Sequence, residues 1–171
     1  SDLTVKLDLH THVWEAFNFQ PPSLEIAEKV VAQIKARGID GIAITDHHNK
    51  EWSMEFKDLV EEHFPGEVII IPGWEIEIRP PQNPFDEYQV SELFLSNGGV
   101  FRIYCHPGYY SPNIIIEDNV HGIEIDNYIH NWHIRKPQVA DIAKEHDLML
   151  FEVSDAHNLA VSYTHLTLPP I

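Results

Sequence analysis

Asp8-Leu9-His10-Thr11-His12 is the stretch that decides the fold, because it closes the first apolar run of the chain. Hydrophobic and polar residues alternate over 3–7, which is the period-two pattern of a β-strand. Residues i and i+2 of a strand point to the same side, so His10 and His12 present two imidazoles to one place at the strand's C-terminal end. A metal site at this strand end is therefore a hypothesis that the later strand ends must test.

Five more apolar runs of strand length follow the first one, at 41–45, 68–72, 100–104, 122–127 and 148–153. Segments with helix signals separate them. Helices are predicted from the N-cap Ser23 to Gly38, over 51–63, near 86–97 ahead of Asn97-Gly98-Gly99, and from Pro137 onward. Alternating strands and helices predict parallel βαβ units in an α/β fold with six recognisable strands, either open or closed into a barrel. Functional residues are expected at the C-terminal ends of the strands in both cases.

The composition predicts one ordinary globular domain, which we place at residues 1–160. A net charge of −16 without a Lys/Arg cluster disfavours tight binding of long nucleic acid. No apolar run is long enough for a membrane span, and the N-terminus lacks a signal-peptide pattern. With Cys105 as the single cysteine, these features lead us to expect a cytoplasmic protein without disulfides.

The last residues, 161–171, follow no strand or helix pattern. They resemble one reading frame of a transposon adapter used in sequencing libraries. We therefore expect a non-native tail there and leave it out of the fold argument.

Histidines and carboxylates recur where the predicted strands end, and a parallel sheet would bring them to one rim. They are His10, His12, Asp46, His47, Glu75, His106, Asp155 and His157. Imidazoles mixed with carboxylates suit Zn²⁺, Mn²⁺ or Fe²⁺, and the absence of a cysteine cluster argues against an iron–sulfur centre. So many ligands exceed the need of one ion, which predicts two or more metal ions with a carboxylate able to bridge them.

Five of these stretches, in order, are similar to the motifs of the polymerase and histidinol phosphatase (PHP) family of metal-dependent phosphoesterases. The stretches are Asp8–His12, Ile44–His47, Pro72–Glu75, His106-Pro107 and Ser154–His157. The resemblance covers essentially residues 3–158. It implies a distorted, TIM-like (β/α)₇-type barrel with a two- or three-metal site, here incomplete because six strands are recognisable.

The resemblance also implies roles for individual residues. The metal ligands would be His10, His12, His47, Glu75, His106, Asp155 and His157, with Glu75 as the bridging carboxylate. Glu75, Asp155 and His157 are the residues to which we assign catalysis, and the metals would generate the nucleophilic hydroxide. Asp46 either ligates metal or accepts the hydrogen bond that fixes a histidine tautomer.

Two positions depart from the family pattern. An acidic residue is expected a few positions after His-x-His, but Val13–Phe19 offers only Glu15, at a different spacing, which favours a two-metal site over a three-metal one. The ligand from the penultimate strand stays open between four residues. The candidates are Glu124, Asp126, Asn127 and His130, although a solvated loop is the preferred interpretation for His121, His130 and His133.

The implied substrate is a small phosphorylated molecule, either a phosphomonoester or a short nucleotide phosphodiester. Arg79 and Arg102 are candidates to bind its phosphate, and Trp14 is a candidate to stack on it. Two alternatives remain open at this point. One is an inactive metal-binding domain with a regulatory or structural role, and the other is an amidohydrolase-like C–N hydrolase, whose usual bridging lysine has no counterpart at a strand end here.

Overall fold

The computed structural model describes residues 4–158, which form a seven-stranded sheet that curves into a nearly closed barrel. The expected domain boundary at 160 and the predicted non-native tail lie outside these residues. In chain order the elements are β1 (Leu7–Thr11), α1 (Val13–Ala16), α2 (Leu24–Ala36), β2 (Gly41–Ile44), α3 (Glu51–His63), β3 (Ile69–Ile78), β4 (Tyr88–Phe94), β5 (Val100–Tyr104), β6 (Gly122–Asn127), a 3₁₀ turn (Asn131–His133), α4 (Lys136–His146) and β7 (Met149–Val153).

The strands lie in the sheet in the same order as in the chain, from β1 to β7. The pairs β1–β2, β2–β3, β5–β6 and β6–β7 are parallel. The first and last strands meet at the rim, where the His12 N–H donates to the Ala156 carbonyl at 2.9 Å and the Asp155 N–H donates to the His10 carbonyl at 2.9 Å. This near closure brings both ends of the sheet to one site.

A buried ion pair joins β1 to the end of α2, and hydrogen bonds from Ser154 to the same carboxylate connect it to the end of β7. The Asp8 carboxylate, fully buried, accepts from Arg37 Nη2 at 2.8 Å and from the Ser154 N–H at 3.1 Å. The Ser154 hydroxyl donates to the same carboxylate. Removing one partner of such a buried pair is costly, so Asp8 stabilises the packing of β1, α2 and the end of β7 against one another.

The helix predicted near 86–97 is wrong, and so is the count of six strands. This segment forms β4, which is antiparallel to β3 on one side and to β5 on the other. Asn97-Gly98 is a hairpin turn between β4 and β5, with Gly98 at φ +87°, rather than a helix stop. An Asn-Gly pair between strand-forming residues is a strong hairpin signal, and pairing on both edges outweighs the helical spacing of a few apolar residues.

The other predicted elements are present. Ser23 is the N-cap of α2, and its side chain accepts a hydrogen bond from the Ile26 N–H. Val30, Val31 and Ile34 of this helix pack into the core beside α3. A second apolar cluster lies under α4, around Ile123 and Val139. Among residues 4–158, no helix combines the length and the apolar composition needed to cross a membrane.

Candidate metal centre

Glu75 lies at the middle of the group of side chains that the sequence placed at the strand ends. Its carboxylate is 1% exposed, and its Oε1 atom is 3.0 Å from His47 Nε2, 3.3 Å from His10 Nε2 and 3.4 Å from His12 Nε2. Its Oε2 atom faces the other way, 3.2 Å from His106 Nε2. One carboxylate therefore faces histidines on two sides, which is the arrangement that a bridging ligand requires.

Asp155 approaches the same histidines from the end of β7. Its Oδ1 atom is 2.8 Å from His12 Nε2 and 3.2 Å from His10 Nε2. Together with Glu75, these residues form a fully buried group of two imidazoles and two carboxylates. The motifs carried by β1, by β3 and by the residues after β7 thus meet at one point.

A second group of possible ligands is formed by His12, Glu15, His47 and His157. Glu15 Oε2 is 2.6 Å from His12 Nδ1 and 3.1 Å from His47 Nδ1. His157 Nδ1 donates to the backbone carbonyl of Asp155 at 2.8 Å, which leaves its Nε2 as the atom with a free lone pair. The group is half-buried, so it borders the cleft rather than the core.

The third group consists of His106, His130 and Asp155. His130 Nε2 is 3.7 Å from Asp155 Oδ2, and the rings of His106 and His130 lie 4.6 Å apart. His130 therefore belongs to the centre, and the prediction that it lies in a solvated loop is wrong. Of the four candidates for the penultimate-strand ligand, His130 belongs to this group, and Glu124 belongs to a separate, fully buried set with His10 and Cys105.

The donor chemistry of the buried group fits a cation. His10 Nε2 is buried and makes no hydrogen bond to any residue of the part of the chain that the structure describes, yet two carboxylate oxygens lie within 3.3 Å of it. A neutral imidazole lone pair and two carboxylates repel one another in a buried site unless a positive charge lies between them. Imidazole nitrogens and carboxylate oxygens are the ligands of Zn²⁺, Mn²⁺ and Fe²⁺, so the residues present fit such an ion.

The protonation of the histidines reflects the same need for positive charge. Burial lowers the pKa of His12, but its hydrogen bonds with Asp155 and Glu15 outweigh burial and raise that pKa to about 8. Burial likewise opposes the effect of Glu15 and Glu75 on His47, whose pKa rises to about 10. In the absence of metal, protons on these imidazoles balance the carboxylates.

At the edge of the group, the neighbouring carboxylates do not outweigh burial, and the pKa values of two histidines are lowered. Burial and the neighbouring His106 lower the pKa of His130 to about 4. Burial and His12 also lower the pKa of His157. Both imidazoles are therefore neutral at pH 7, which is the state in which histidine binds metal.

Two of the central residues have left-handed backbone conformations. Asp155 has φ +56° and His106 has φ +22°. Residues other than glycine that adopt positive φ cost about 1–3 kcal/mol and occur preferentially at functional sites. The surrounding barrel therefore holds these side chains in a conformation that isolated strand ends would not adopt.

Asp46 positions the segment that carries Glu15. Its two oxygens accept from the backbone N–H groups of Trp14 and Glu15, at 3.1 and 2.9 Å. Burial raises its pKa to about 6 against the effect of these two bonds. Of the two roles left open by the sequence, direct ligation and positioning, this geometry favours positioning.

An open cleft of about 180 Å³ lies above the buried group. It is lined by His47, Glu75, Gln89, His106, Tyr109, Tyr110, His130, Asp155 and His157. None of these lining residues is a lysine or an arginine. The cleft therefore reaches ligands from all three groups and has the size for a small substrate.

The three predicted substrate-binding residues lie outside this cleft. Arg79 is exposed and pairs with Glu87 at 3.1 Å, and Arg102 pairs with Glu92 at 2.7 Å across β4 and β5. Trp14 packs beside the core under α2 and contacts Phe19 edge-on. The structure does not bring these side chains to the metal centre.

Glu15 is the residue of the centre that sequence reasoning undervalued. The one-turn helix α1 begins at Val13, and its i, i+3 spacing returns the Glu15 side chain to His12. The PHP family pattern has its acidic residue at a different distance from His-x-His, so the position of Glu15 in the sequence did not indicate that it belongs to the centre. Asp46, which stands after β2 and caps this turn, was the available clue.

No family model matches this chain, and no curated protein matches it. Solved structures with the same fold were found. A protein of Bifidobacterium adolescentis, provisionally described as a metal-dependent phosphoesterase, superposes with a TM-score of 0.68 at 11% identity, over 98% of this chain and 94% of its own.

Two further solved structures share the architecture. An amidohydrolase of Chromobacterium violaceum, with bound sulfate and no metal, has a TM-score of 0.65 at 14% identity, over 97% of this chain and 93% of its own. PsfC of Pseudomonas syringae has a TM-score of 0.59 at 15% identity, over 92% of this chain and 78% of its own. These comparisons define the fold as the TIM-like barrel of phosphoesterase and amidohydrolase structures, which confirms the fold class predicted from the sequence and its resemblance at the level of fold.

Proposed function

We propose that this protein is a metal-dependent phosphoesterase of the PHP type that hydrolyses a small phosphorylated substrate. The observation that carries the proposal is the buried His10 Nε2 atom, which faces Glu75 and Asp155 without a hydrogen bond. The three ligand groups share His12 and Asp155, and together they have donors for two or three divalent cations. Bound cations would supply the positive charge that polarises a phosphoryl group and activates a water molecule for attack.

Charge favours a phosphoryl substrate. Four carboxylates contact the histidines of the centre, namely Glu15, Glu75, Glu124 and Asp155. Two divalent cations neutralise them, and a third leaves an excess of positive charge at a cleft whose lining contains no lysine or arginine. A phosphate dianion is the complementary ligand for such an excess.

Residues of this chain would then hold the cations and orient the substrate. Glu75 holds one oxygen toward His10, His12 and His47 and the other toward His106, so it would be a ligand shared by neighbouring cations. Tyr109 and Gln89 line the cleft and limit the size and orientation of the leaving group. The positioning of a substrate between such groups contributes to catalysis by lowering the entropic cost of reaching the reactive geometry.

An amidohydrolase-like C–N hydrolase is the second candidate, because the Chromobacterium violaceum structure shares the fold. The test is elemental mass spectrometry of the purified protein, followed by assays after Mn²⁺ or Zn²⁺ addition. A phosphomonoester, a phosphodiester and a cyclic amide serve as substrates. Two or more ions per chain with phosphoester turnover are expected, turnover of the amide alone would favour the second candidate, and ions without any turnover would favour an inactive metal-binding domain.

A further inference from the structure

The strand β6 carries two buried polar residues, Glu124 and Asn127, that point into the barrel although they are three positions apart. Residues i and i+3 of a regular strand point to opposite faces. The pairing with β7 shifts between Glu124 and Asp126, so that β6 contains one extra residue at this point. This β-bulge returns Asn127 to the inner face, and such bulges frequently re-aim side chains next to active sites.

The Glu124 carboxylate accepts three hydrogen bonds. Oε2 accepts from His10 Nδ1 at 2.6 Å, and Oε1 accepts from the His106 backbone N–H at 2.8 Å and from Asn127 Nδ2 at 2.9 Å. Glu124 is 1% exposed. These bonds use three of the roughly four acceptor sites of the carboxylate, which favours a positioning role for Glu124 over direct ligation of a cation.

The bond from His10 also fixes the tautomer of that imidazole. A carboxylate can only accept, so His10 Nδ1 carries a proton and Nε2 is the nitrogen that would offer its lone pair to a cation. Nε2 is the atom that faces Glu75 and Asp155. Glu124 thus aims the ligand atom of His10 at the centre without touching the centre itself.

Asn127 extends the same network to the remaining strands. Its amide group donates to Glu124 Oε1 at 2.9 Å and to Asp155 Oδ2 at 3.1 Å. Its carbonyl oxygen accepts from the backbone N–H groups of Ile129 and His130, at 3.1 and 3.0 Å. One fully buried amide therefore orients Asp155 and the turn that carries His130.

We infer that Glu124 and Asn127 form a positioning pair that presets the ligands from three separate strand ends before any cation binds. The inference rests on the proposed metal site and adds to it the residues that organise His10, His106, Asp155 and His130. Hydrogen bonds of this kind typically change metal affinity by roughly 10–100-fold when they are removed. The pair acts through the ligands and is not itself catalytic.

The test is a comparison of Glu124→Gln with the wild-type protein and with Glu92→Gln. The glutamine retains the size of the side chain but has one acceptor oxygen for three donors, so at least one bond is lost. Glu92 is a matched control, since it lies on β4 of the same sheet and contacts Trp74 and Arg102 instead of the centre. Zn²⁺ dissociation constants are measured by calorimetry on metal-free protein, and ¹⁵N spectra of the zinc-loaded protein report the tautomer of His10.

The expected result is Zn²⁺ binding weakened by roughly 10–100-fold in E124Q, with loss of the single Nδ1-protonated signal of His10, and unchanged values in E92Q. Asn127→Ala gives a second measurement in case E124Q does not fold, and it is expected to weaken the sites that contain Asp155 and His130. Unchanged affinity and tautomer in a folded E124Q would overturn this inference while leaving the proposed function standing. Absence of Zn²⁺ binding by the wild-type protein would overturn both.

Discussion

Glu15 Oε2 lies 2.6 Å from Nδ1 of His12, a residue only three positions earlier in the chain. The contact depends on the single turn of α1, because an extended chain would carry Glu15 away from the imidazole. Glu15 also contacts His47 at 3.1 Å, so one short turn completes a group of ligands that includes His157.

Glu15→Gln is expected to lower the metal content of the protein by one ion per chain. The amide removes the negative charge and one acceptor from the group that contains His47 and His157, while Glu75 and Asp155 remain in place. Elemental mass spectrometry after dialysis against Mn²⁺ measures the change. Glu25→Gln is the control, since Glu25 is exposed on α2 and pairs only with Lys29; equal stoichiometry in E15Q and wild type would remove Glu15 from the ligand set.

Asp155→Ala and His12→Ala are each expected to lower metal content and phosphoesterase activity together, the activity by roughly 100-fold or more. Both residues take part in two of the three ligand groups, so their loss affects neighbouring cations at once. Metal analysis and initial rates with a generic phosphoester are measured on the same preparations. Either variant retaining full metal and full turnover would show that the centre has been wrongly located.

Asp46→Ala is expected to lower the free energy of unfolding by about 1–2 kcal/mol, because it leaves two backbone N–H groups at the start of α1 without their acceptor. It should also weaken binding at the group containing Glu15. Asp46→Asn, which keeps one acceptor oxygen, is expected to lose less stability. Chemical denaturation measures both variants, and equal stability of the alanine variant and the wild type would contradict a positioning role.

The stabilisation of the protein by metal is expected to increase with pH. The pKa values of His12 and His47 in the metal-free fold, about 8 and about 10, lie above the ordinary 6.5. Protonation of these histidines therefore stabilises the metal-free fold fully below pH 6.5, and this contribution is lost as the pH rises through 8 and 10. Cations replace the protons and do not titrate in this way, so the loaded protein keeps its stability.

Thermal melts with and without Mn²⁺ at about pH 6.5 and about pH 9 measure this difference. The metal-induced rise in Tm should be larger at the higher pH, mainly because the metal-free Tm falls. A metal-free Tm that stays constant or rises across this range would contradict the assignment of raised pKa values to these two histidines.

Arg79→Ala and Arg102→Ala are expected to change kcat/KM for a phosphorylated substrate by less than about 2-fold, because neither guanidinium lines the cleft and each is paired on the surface of the hairpin strands. Steady-state kinetics of the two variants, with wild-type metal content verified, provide the measurement. A large rise in KM in either variant would restore that arginine as a phosphate-binding residue.

The fold was predictable from the sequence where local signals and tertiary packing agree. Ser23 begins α2 as its capping chemistry requires, and the helix over 51–63 has the predicted bounds. The prediction of a helix for the segment from Tyr88 to Phe94 was wrong because its few apolar residues fit a helical spacing. Its strand conformation depends on hydrogen bonds to its chain neighbours β3 and β5, and the local sign of this pairing was the Asn97-Gly98 turn rather than the spacing of apolar residues.

The candidate site divides in the same way. Ligands at the end of a buried apolar run of the sequence, such as His10, Glu75 and Asp155, could be predicted because parallel strands bring such positions to one rim. Glu15 and His130 lie on short turns after the strands, where one residue more or less changes the direction of the side chain. The inward position of Asn127 depends on a bulge in β6, which a period-two pattern cannot reveal.

The antiparallel hairpin of β3 and β4 contributes one residue to the candidate metal centre and another to the cleft in which a substrate would bind. Glu75 pairs with Ser91 of β4, three residue pairs before β3 ends at Ile78, and β4 returns from the tip with Gln89, which borders the cleft. A hairpin tolerates insertion or deletion of residues at its tip without a change of register at its base. Relatives with this hairpin are therefore expected to differ in the size of the substrate that they accept while keeping the same residues at the reaction centre.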